Sequence, residues 1–231
     1  MTMTSDYEEI RNLMFKLSHL GVWKFSEEGG FFIGETPYRR TTVWQNKIYP
    51  KISMKEVEIM EDEMHRRIAP SYVDFLTSFS NGLSVFLGTL ALYGYRYSFK
   101  RDAAHNQQPF NLVWINQTEK PRNSTDDMFF IGTYNWDHSY LYVTPDQKVH
   151  FCHRWDATSL LTWDSITDML ISEINRIYTL FDDNGMDARV GQIRGRLYAG
   201  VGRVVPIYRA VAEIGRFIRR KGRHGPSARI S

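Results

Sequence analysis

The sequence predicts an α+β domain, with an antiparallel or mixed sheet flanked by helices and a basic helical extension at the C-terminus. Three observations predict it. Apolar residues recur at three- and four-residue spacing in several segments, which is typical of amphipathic helices. Short aromatic and β-branched runs, separated by turn residues, lie between those segments and indicate strands. The last part of the chain keeps the helical spacing but is rich in arginine.

Composition excludes several classes of protein. Hydrophobic residues make up 42% of the 231 residues, as in a packed globular chain. No stretch approaches the roughly 18 consecutive apolar residues of a membrane span, and the first residues are acidic and polar, unlike a secretory signal. The single cysteine, Cys152, forms no internal disulfide and no Cys-rich zinc site. We therefore expect a cytoplasmic protein.

Charge is distributed unevenly along the chain. Residues 186–231 contain 11 Lys and Arg against two acids, a net charge of +9. Residues 1–185 contain 18 basic and 24 acidic residues, a net charge of −6. The sequence thus predicts an acidic body followed by a basic segment.

The N-terminal region, residues 1–50, is predicted to be a helix and a hairpin packed on the main domain. Residues 5–20 have the spacing of an amphipathic helix that ends at Gly21. Phe31–Ile33 is predicted as a short strand, and Thr41–Trp44 as a second one.

The main domain, residues 51–185, is predicted to begin with two helices. Ser53 and Glu56 have the spacing of a capping box, and Val57, Met60, Met64 and Ile68 form a buried stripe behind them. Pro70 begins the second helix, whose apolar residues Tyr72, Val73, Leu76 and Phe79 face inward and which Asn81-Gly82 ends. The apolar run Leu83–Tyr93 is interpreted as two strands with a turn near Gly88.

The second half of the main domain is predicted to be mainly β-structure. Residues 98–127 are polar and form surface loops around one strand or short helix at Leu112–Ile115. Three antiparallel strands follow, at Met128–Ile131, Tyr140–Val143 and Val149–Trp155. Leu160–Phe181 is then predicted as a loop and a closing helix.

The basic segment, residues 186–231, is predicted to form a long amphipathic helix that Pro206 kinks or divides, with a disordered end. Its arginines could dock on the acidic body, or bind nucleic-acid phosphates, or bind a membrane surface or a protein partner. These three alternatives stay open. The candidate anion-binding residues are Arg194, Arg203, Arg216, Arg219 and Arg220.

Several motifs, in their order along residues 48–181, carry a resemblance to a known family. An acidic helix leads into Ile68-Ala69-Pro70-Ser71-Tyr72-Val73-Asp74-Phe75-Leu76, which is similar to a Leu-Pro-x-x-Tyr-x-x-Phe-Leu motif with one residue inserted before the proline. Asn81-Gly82 and Tyr93-Gly94 follow, then Phe130-Ile131-Gly132, Trp136-Asp137 and a closing helix from Trp163. This order resembles the SUKH superfamily, which includes bacterial immunity proteins, fungal regulators and viral proteins.

The resemblance implies a binding protein without enzymatic activity or cofactor. It implies most directly an immunity protein that neutralises a nuclease-type toxin by binding it, and the acidic body suits a basic partner. A regulatory or viral host-interaction protein, using the basic segment on nucleic acid or membrane, is the alternative. The candidate partner-binding residues, at a hairpin end rich in acids and aromatics, are Asp126, Asp127, Trp136, Asp137 and His138.

A metal site and a catalytic site are the alternatives to a partner-binding surface. In a strand, His150 and Cys152 would share one face while His153 points to the other, so a metal would need ligands from elsewhere. An enzyme would require Asp126, Asp137 and the neighbouring histidines to converge in one pocket. We expect neither a metal site nor catalysis.

Overall fold

The structure is a computed structural model that describes residues 3–36, 43–100 and 103–185. These residues belong to one compact unit. The basic segment, with Arg194, Arg203, Arg216, Arg219 and Arg220, lies outside the described residues, and the predictions for it stay predictions.

Five α-helices are described. They are α1 (Met3–Met14), α2 (Met54–Met64), α3 (Pro70–Asp74), α4 (Leu112–Gln117) and α5 (Ile166–Tyr178). A 3₁₀ helix, Phe15–Leu20, continues α1, and a π-helix, Phe75–Phe79, continues α3. A further 3₁₀ helix spans Ala103–Gln107.

Within the described residues, nine strands form a single antiparallel sheet whose spatial order is the order along the chain. Together with the helices, this sheet confirms the predicted α+β class. The strands are β1 (Val22–Ser26), β2 (Gly30–Glu35), β3 (Trp44–Ile48), β4 (Leu83–Val85), β5 (Leu90–Leu92), β6 (Phe129–Tyr134), β7 (Tyr140–Val143), β8 (Val149–His153) and β9 (Asp156–Trp163).

The N-terminal strands belong to the same sheet as the main domain. Ile48 of β3 pairs with Leu83 of β4, so β1, β2 and β3 extend the sheet of the later strands. Helix α1 packs against α5, and α4 packs against α2 and β6. Residues from both predicted regions line one hydrophobic core.

Several predicted elements are confirmed. The buried stripe of α2 is as expected, and the Glu56 carboxylate accepts from the Ser53 amide at 2.7 Å, as in a capping box. The apolar run after Gly82 is the antiparallel pair β4 and β5. The three predicted strands after Asp127 are β6, β7 and β8. Of the two alternatives for residues 112–115, the structure has the short helix.

Other predictions were wrong in position or missed a strand. The strand predicted at residues 41–44 begins only at Trp44, and residues 41 and 42 are not described. The edge strands β1 and β9 were not predicted. Five consecutive residues of β9, from Thr158 to Thr162, are exposed, so it lacks the alternation of apolar and polar residues by which strands are recognised. No helix in residues 3–36, 43–100 and 103–185 is long and apolar enough to cross a membrane.

Candidate binding cleft and aromatic loop

An open cleft of about 1160 Å³ lies where four segments of the chain meet. Its walls come from α1, the β1–β2 hairpin, residues 51–56 and the π-helix that follows α3. Because these segments are distant in sequence, the cleft exists only in the folded chain. We call it the binding cleft.

The π-helix shapes one wall of the binding cleft. The Ser80 amide donates to the Phe75 carbonyl at 2.9 Å, five residues back, instead of four as in an α-helix. The Thr77 hydroxyl donates to the Val73 carbonyl at 2.8 Å, which satisfies an acceptor near the widened turn. The turn presents Thr77, Ser78 and Phe79 to the cleft. Single π-turns inside helices occur frequently at functional sites.

Tyr7 connects this wall of the cleft to α1, the N-terminal helix. Its hydroxyl donates to Asp74 Oδ2 at 2.6 Å, and its ring stacks on Phe79 with centroids 5.2 Å apart. The Ser78 hydroxyl donates to the other Asp74 oxygen at 2.9 Å. Burial, and then the hydrogen bond to Asp74, raise the pKa of Tyr7 well above its usual value. The phenol therefore stays protonated and a donor at neutral pH.

Two of the three cations that line the cleft contact other cleft residues. The Arg11 guanidinium lies 4.9 Å from the centre of the Phe31 ring, a cation–π contact. Lys24 forms a salt bridge with Glu27. The carboxylates of Glu8, Glu28 and Glu56 also line the cleft, together with Lys51.

The second feature is the aromatic loop, residues 94–111, of which 101 and 102 are not described. Its two halves run side by side: the Gly94 amide donates to the Phe110 carbonyl at 2.9 Å, and Arg96 donates to the Pro109 carbonyl at 2.8 Å. The Ser98 amide donates to Gln108 Oε1 at 2.9 Å. These bonds hold residues 94–98 beside residues 108–110 without regular strands.

Asn81 anchors the base of the aromatic loop. Its Oδ1 accepts from the Tyr95 amide at 2.7 Å, and its Nδ2 donates to the Tyr95 carbonyl at 2.8 Å. Only glycine fits beside it, because a Cβ on Gly94 would lie 2.2 Å from Asn81 Oδ1. The motif residues Asn81 and Gly94 are thus one structural unit.

The loop and the adjoining helix α4 expose four large aromatic side chains. The exposed fractions exceed half in every case: Tyr97 57%, Phe99 70%, Phe110 59% and Trp114 53%. Tryptophan and tyrosine are enriched at protein interfaces, where their burial contributes strongly to affinity. Arg96 lies 5.7 Å from the Phe99 ring centre, which restrains the most exposed ring.

The aromatic loop adjoins the cleft at Tyr97. Burial raises the pKa of Tyr97, and the nearby carboxylates of Glu56 and Glu28, both cleft residues, raise it further. The binding cleft and the aromatic loop are therefore neighbours on one surface.

The structure does not bring the five predicted partner-binding residues into one patch. Asp126 and Asp127 precede β6, whereas Trp136, Asp137 and His138 follow it. The six residues of β6 separate the two groups by about 20 Å at the rise of an extended strand. None of the five lines the binding cleft.

Each group has its own surroundings. Arg66 donates to the Asp126 carbonyl and lies 5.2 Å from the Phe129 ring centre. Trp136 is half-buried between the Tyr134 ring, 4.4 Å away, and the Arg176 guanidinium, 5.7 Å away. Asp137 Oδ1 accepts from the Ser139 amide at 2.9 Å, and His138 is exposed at the turn with a φ of 55°. A binding role for these residues stays a prediction.

The described part of the chain contains no group of three or more His, Cys, Asp or Glu placed to hold a metal ion. Burial raises the pKa of the Cys152 thiol to about 12, so it stays protonated and is a poor ligand or nucleophile. The acids proposed for an enzyme do not converge, because Asp126 and Asp137 lie at opposite ends of β6.

Sequence reasoning missed the cleft and the aromatic loop. Residues 98–127 are predicted to be polar surface, and residues 94–97 have no prediction, although Tyr95, Tyr97 and Phe99 alternate across the boundary between the two. Alternating aromatics beside arginine were the available signal. No protein-family model matches this sequence, and no curated protein sequence matches it significantly.

Proposed function

We propose that this chain is a non-enzymatic, SUKH-type immunity protein that neutralises a basic, nuclease-type toxin by binding it directly. The surface for that task is the binding cleft with the adjoining aromatic loop. The observation that carries the proposal is the position of Tyr97, whose phenol is influenced by the Glu56 carboxylate, because it places the exposed aromatics beside the cleft.

The chemistry of this surface supports protein binding. Tyr97, Phe99, Phe110 and Trp114 are large and rigid, and ordering them on binding costs little side-chain entropy. Exposed aromatic rings beside charged groups are the residue types that dominate binding energy in measured interfaces. The cleft is wide and open, which suits a protein segment better than a small molecule enclosed on most sides.

Charge supports a basic partner. Residues 1–185 carry a net charge of −6, and the cleft is lined by four carboxylates against three cations, a net charge of −1. Complementary charge accelerates association and discourages wrong partners. A nuclease that binds nucleic-acid phosphates has the basic face that this surface would cover.

The roles of the motif residues support the resemblance. Tyr72 is fully buried, and its hydroxyl donates to the Tyr93 carbonyl and, at 3.2 Å, to the Ile131 carbonyl. Asn81 and Gly94 form the base of the aromatic loop. These residues therefore organise the scaffold that carries the proposed surface.

The proposal is tested with the full chain and the protein encoded beside its gene. We expect a stoichiometric complex whose nuclease activity is lost, with an association rate that falls as salt is raised. The doubly substituted Tyr97→Ala, Phe99→Ala chain should neither bind nor inhibit. A bound partner that keeps full activity, or a neighbouring protein that does not bind, contradicts the proposal.

The basic segment, residues 186–231, favours a second candidate function, that of a regulatory protein that binds nucleic acid. Its 11 basic residues against two acids are the observation that favours it. A chain ending at residue 185 should then lose salt-dependent affinity for nucleic acid, and the five-residue substitution of Arg194, Arg203, Arg216, Arg219 and Arg220 by Gln should reproduce that loss. Equal binding by the full and shortened chains discards this candidate.

A further inference from the structure

A second group of polar side chains lies on β8, β9 and the turn between β7 and β8. Four of them form one continuous hydrogen-bonded chain, Asp146–Thr144–His150–Ser159. The distances are 2.5 Å from Thr144 Oγ1 to Asp146 Oδ1, 3.1 Å from Thr144 Oγ1 to His150 Nε2, and 2.8 Å from His150 Nδ1 to Ser159 Oγ. None of these residues lines the binding cleft.

The direction of each hydrogen bond follows from what each atom can donate. An ionised Asp146 carboxylate only accepts, so Thr144 gives it its single hydroxyl proton. The other acceptor near that hydroxyl, the Lys148 carbonyl, is farther away at 3.3 Å. Thr144 Oγ1 must then accept from His150, which places the imidazole proton on Nε2. Nδ1 of a neutral His150 is left as an acceptor.

Ser159 is the best donor to this free Nδ1. Its Oγ is 2.8 Å from the nitrogen, whereas Thr162 Oγ1 is 3.1 Å away. The alternative acceptors for the Ser159 proton, Thr162 Oγ1 and the Leu161 carbonyl, are at 3.2 and 3.3 Å. A serine hydroxyl that donates to an imidazole held in one tautomer is the arrangement that activates serine nucleophiles.

The surroundings keep His150 in the required form. The Tyr142 ring stacks on the imidazole with centroids 5.0 Å apart. Burial lowers the pKa of His150 from 6.5, the Asp146 charge opposes that change, and the Lys148 charge adds to it. Lys148 is itself paired with Asp164 at 3.4 Å, and the neighbouring β9 side chains at His150 are hydroxyls. His150 is thus neutral and able to take a proton at pH 7.

Ser159 is also accessible. It lies on the edge strand β9 and is exposed, as are the next two residues, Leu160 at 44% and Leu161 at 50%. An electrophile can therefore reach Oγ from solvent, and the Leu161 side chain, on the same face of the strand, can contact an acyl group.

We propose that Ser159 is a nucleophile that accepts one acyl group, with His150 as its general base and Thr144 and Asp146 as positioning residues; this is a single self-acylation without catalytic turnover. Ser159 Oγ attacks the carbonyl carbon of an activated ester, and its proton passes to His150 Nδ1. The new Oγ–C bond forms as the ester C–O bond breaks. His150 then returns the proton to the leaving oxygen, which gives an acyl-serine and an alcohol. The site takes small, uncharged activated esters.

The test is acetylation of the full chain by p-nitrophenyl acetate, followed by peptide mapping. We expect the acetyl group on Ser159 in the folded chain, at a rate at least about 100-fold above that of Ser159 in the urea-unfolded chain, where the general base is lost. The exposed Ser172 of α5 provides the baseline for an ordinary surface serine within the same sample. Equal rates at Ser159 in folded and unfolded chain overturn the proposal.

Substitutions separate activation from simple exposure. His150→Gln should lower Ser159 acetylation by about 100-fold, and Thr144→Val should lower it while Thr144→Ser restores it. In the unsubstituted chain, the rate of Ser159 acetylation should rise with pH as His150 loses its proton. It should reach its plateau before the pH has risen to about 7. An acetylation rate that His150→Gln leaves unchanged shows an ordinary hydroxyl and contradicts the proposal. A rate that keeps rising through pH 7 without a plateau contradicts it as well.

Discussion

The side-chain amide of Asn81 pairs with the main chain of Tyr95 through two hydrogen bonds, 2.7 Å from the Tyr95 amide to Oδ1 and 2.8 Å from Nδ2 to the Tyr95 carbonyl. Asn81 is 1% exposed, so these bonds are shielded from water. The pairing fixes the start of the aromatic loop. A residue that looks like a helix stop in the sequence therefore also positions the proposed binding surface.

Replacing Asn81 by Ala should destabilise the fold and loosen the loop. The substitution leaves the Tyr95 amide and carbonyl without partners, which costs about 1–3 kcal/mol of unfolding free energy. Urea unfolding measures that loss, and hydrogen exchange at the Tyr95 amide measures the loosening. Asn135→Ala, at an exposed position, is the control and should change neither. An unchanged exchange rate at Tyr95 would show that Asn81 does not anchor the loop.

Replacing Tyr72 by Phe should destabilise the contact between α3 and the sheet. The ring is kept, but the hydroxyl that bridges the Tyr93 and Ile131 carbonyls is lost. We expect a loss of about 1 kcal/mol in unfolding free energy, as for a buried hydrogen bond. Tyr97→Phe removes a hydroxyl from a side chain that is 57% exposed, and should cost less. If the two losses are equal, the buried bridge has no special role.

Removing Arg176 should lower the unfolding free energy, because the buried Glu173 carboxylate then loses its charged partner. Glu173 is 4% exposed, and its carboxylate accepts from Arg176 Nε at 2.9 Å and from the Tyr134 hydroxyl at 2.7 Å. Arg176→Met should lower the unfolding free energy by about 2 kcal/mol, less than for a fully buried pair because the Arg176 side chain is 36% exposed. Arg122→Met, at an exposed position, is the control. The double substitution Arg176→Met, Glu173→Leu should recover part of the loss, and no recovery would contradict this explanation.

Stability should fall at alkaline pH because of the buried tyrosines. Burial raises the pKa of Tyr72 and Tyr134 well above 10, so both phenols stay protonated in the folded chain. The unfolded chain releases these protons from about pH 10 upward. The stabilisation is therefore complete below pH 10, and each such tyrosine removes about 1.4 kcal/mol per pH unit above it. Urea unfolding over a pH series measures the slope. A flat profile above pH 10 would show that these phenols ionise in the folded state.

Local patterns in the sequence predicted the helix with one buried stripe and the strands formed by short apolar runs. The stripe of α2 follows the side-chain period of a helix, whereas β6 and β7 are buried almost throughout and were recognised as apolar, aromatic runs between turns. The edge strand β9 was not predicted because five consecutive residues, whose side chains alternate between its two faces, are all exposed. The π-turn at Phe75–Phe79 escaped it because an i to i+5 hydrogen bond leaves almost the same apolar spacing as a helix.

The candidate site could not be predicted in the same way. The cleft is formed by α1, a hairpin, the start of α2 and the π-turn, and only the tertiary fold brings them together. The predicted patch joined Asp127 to Trp136 because they are neighbours in sequence, yet a whole strand separates them. Side-chain relationships such as that between Asn81 and Tyr95 depend on where distant segments meet.

The central claim, that the aromatic loop with the cleft binds a protein partner, is tested most directly by two matched substitutions. Phe99 and Trp155 are equally exposed, at 70% and 68%, but only Phe99 lies on the aromatic loop. The measurement is the dissociation constant of the complex with the neighbouring-gene protein, by calorimetry. We predict that Phe99→Ala weakens binding by about 30-fold, the effect of an interface hot spot, and that Trp155→Ala leaves it unchanged. Unchanged affinity for Phe99→Ala, or an equal loss for Trp155→Ala, would contradict the assignment of the binding surface.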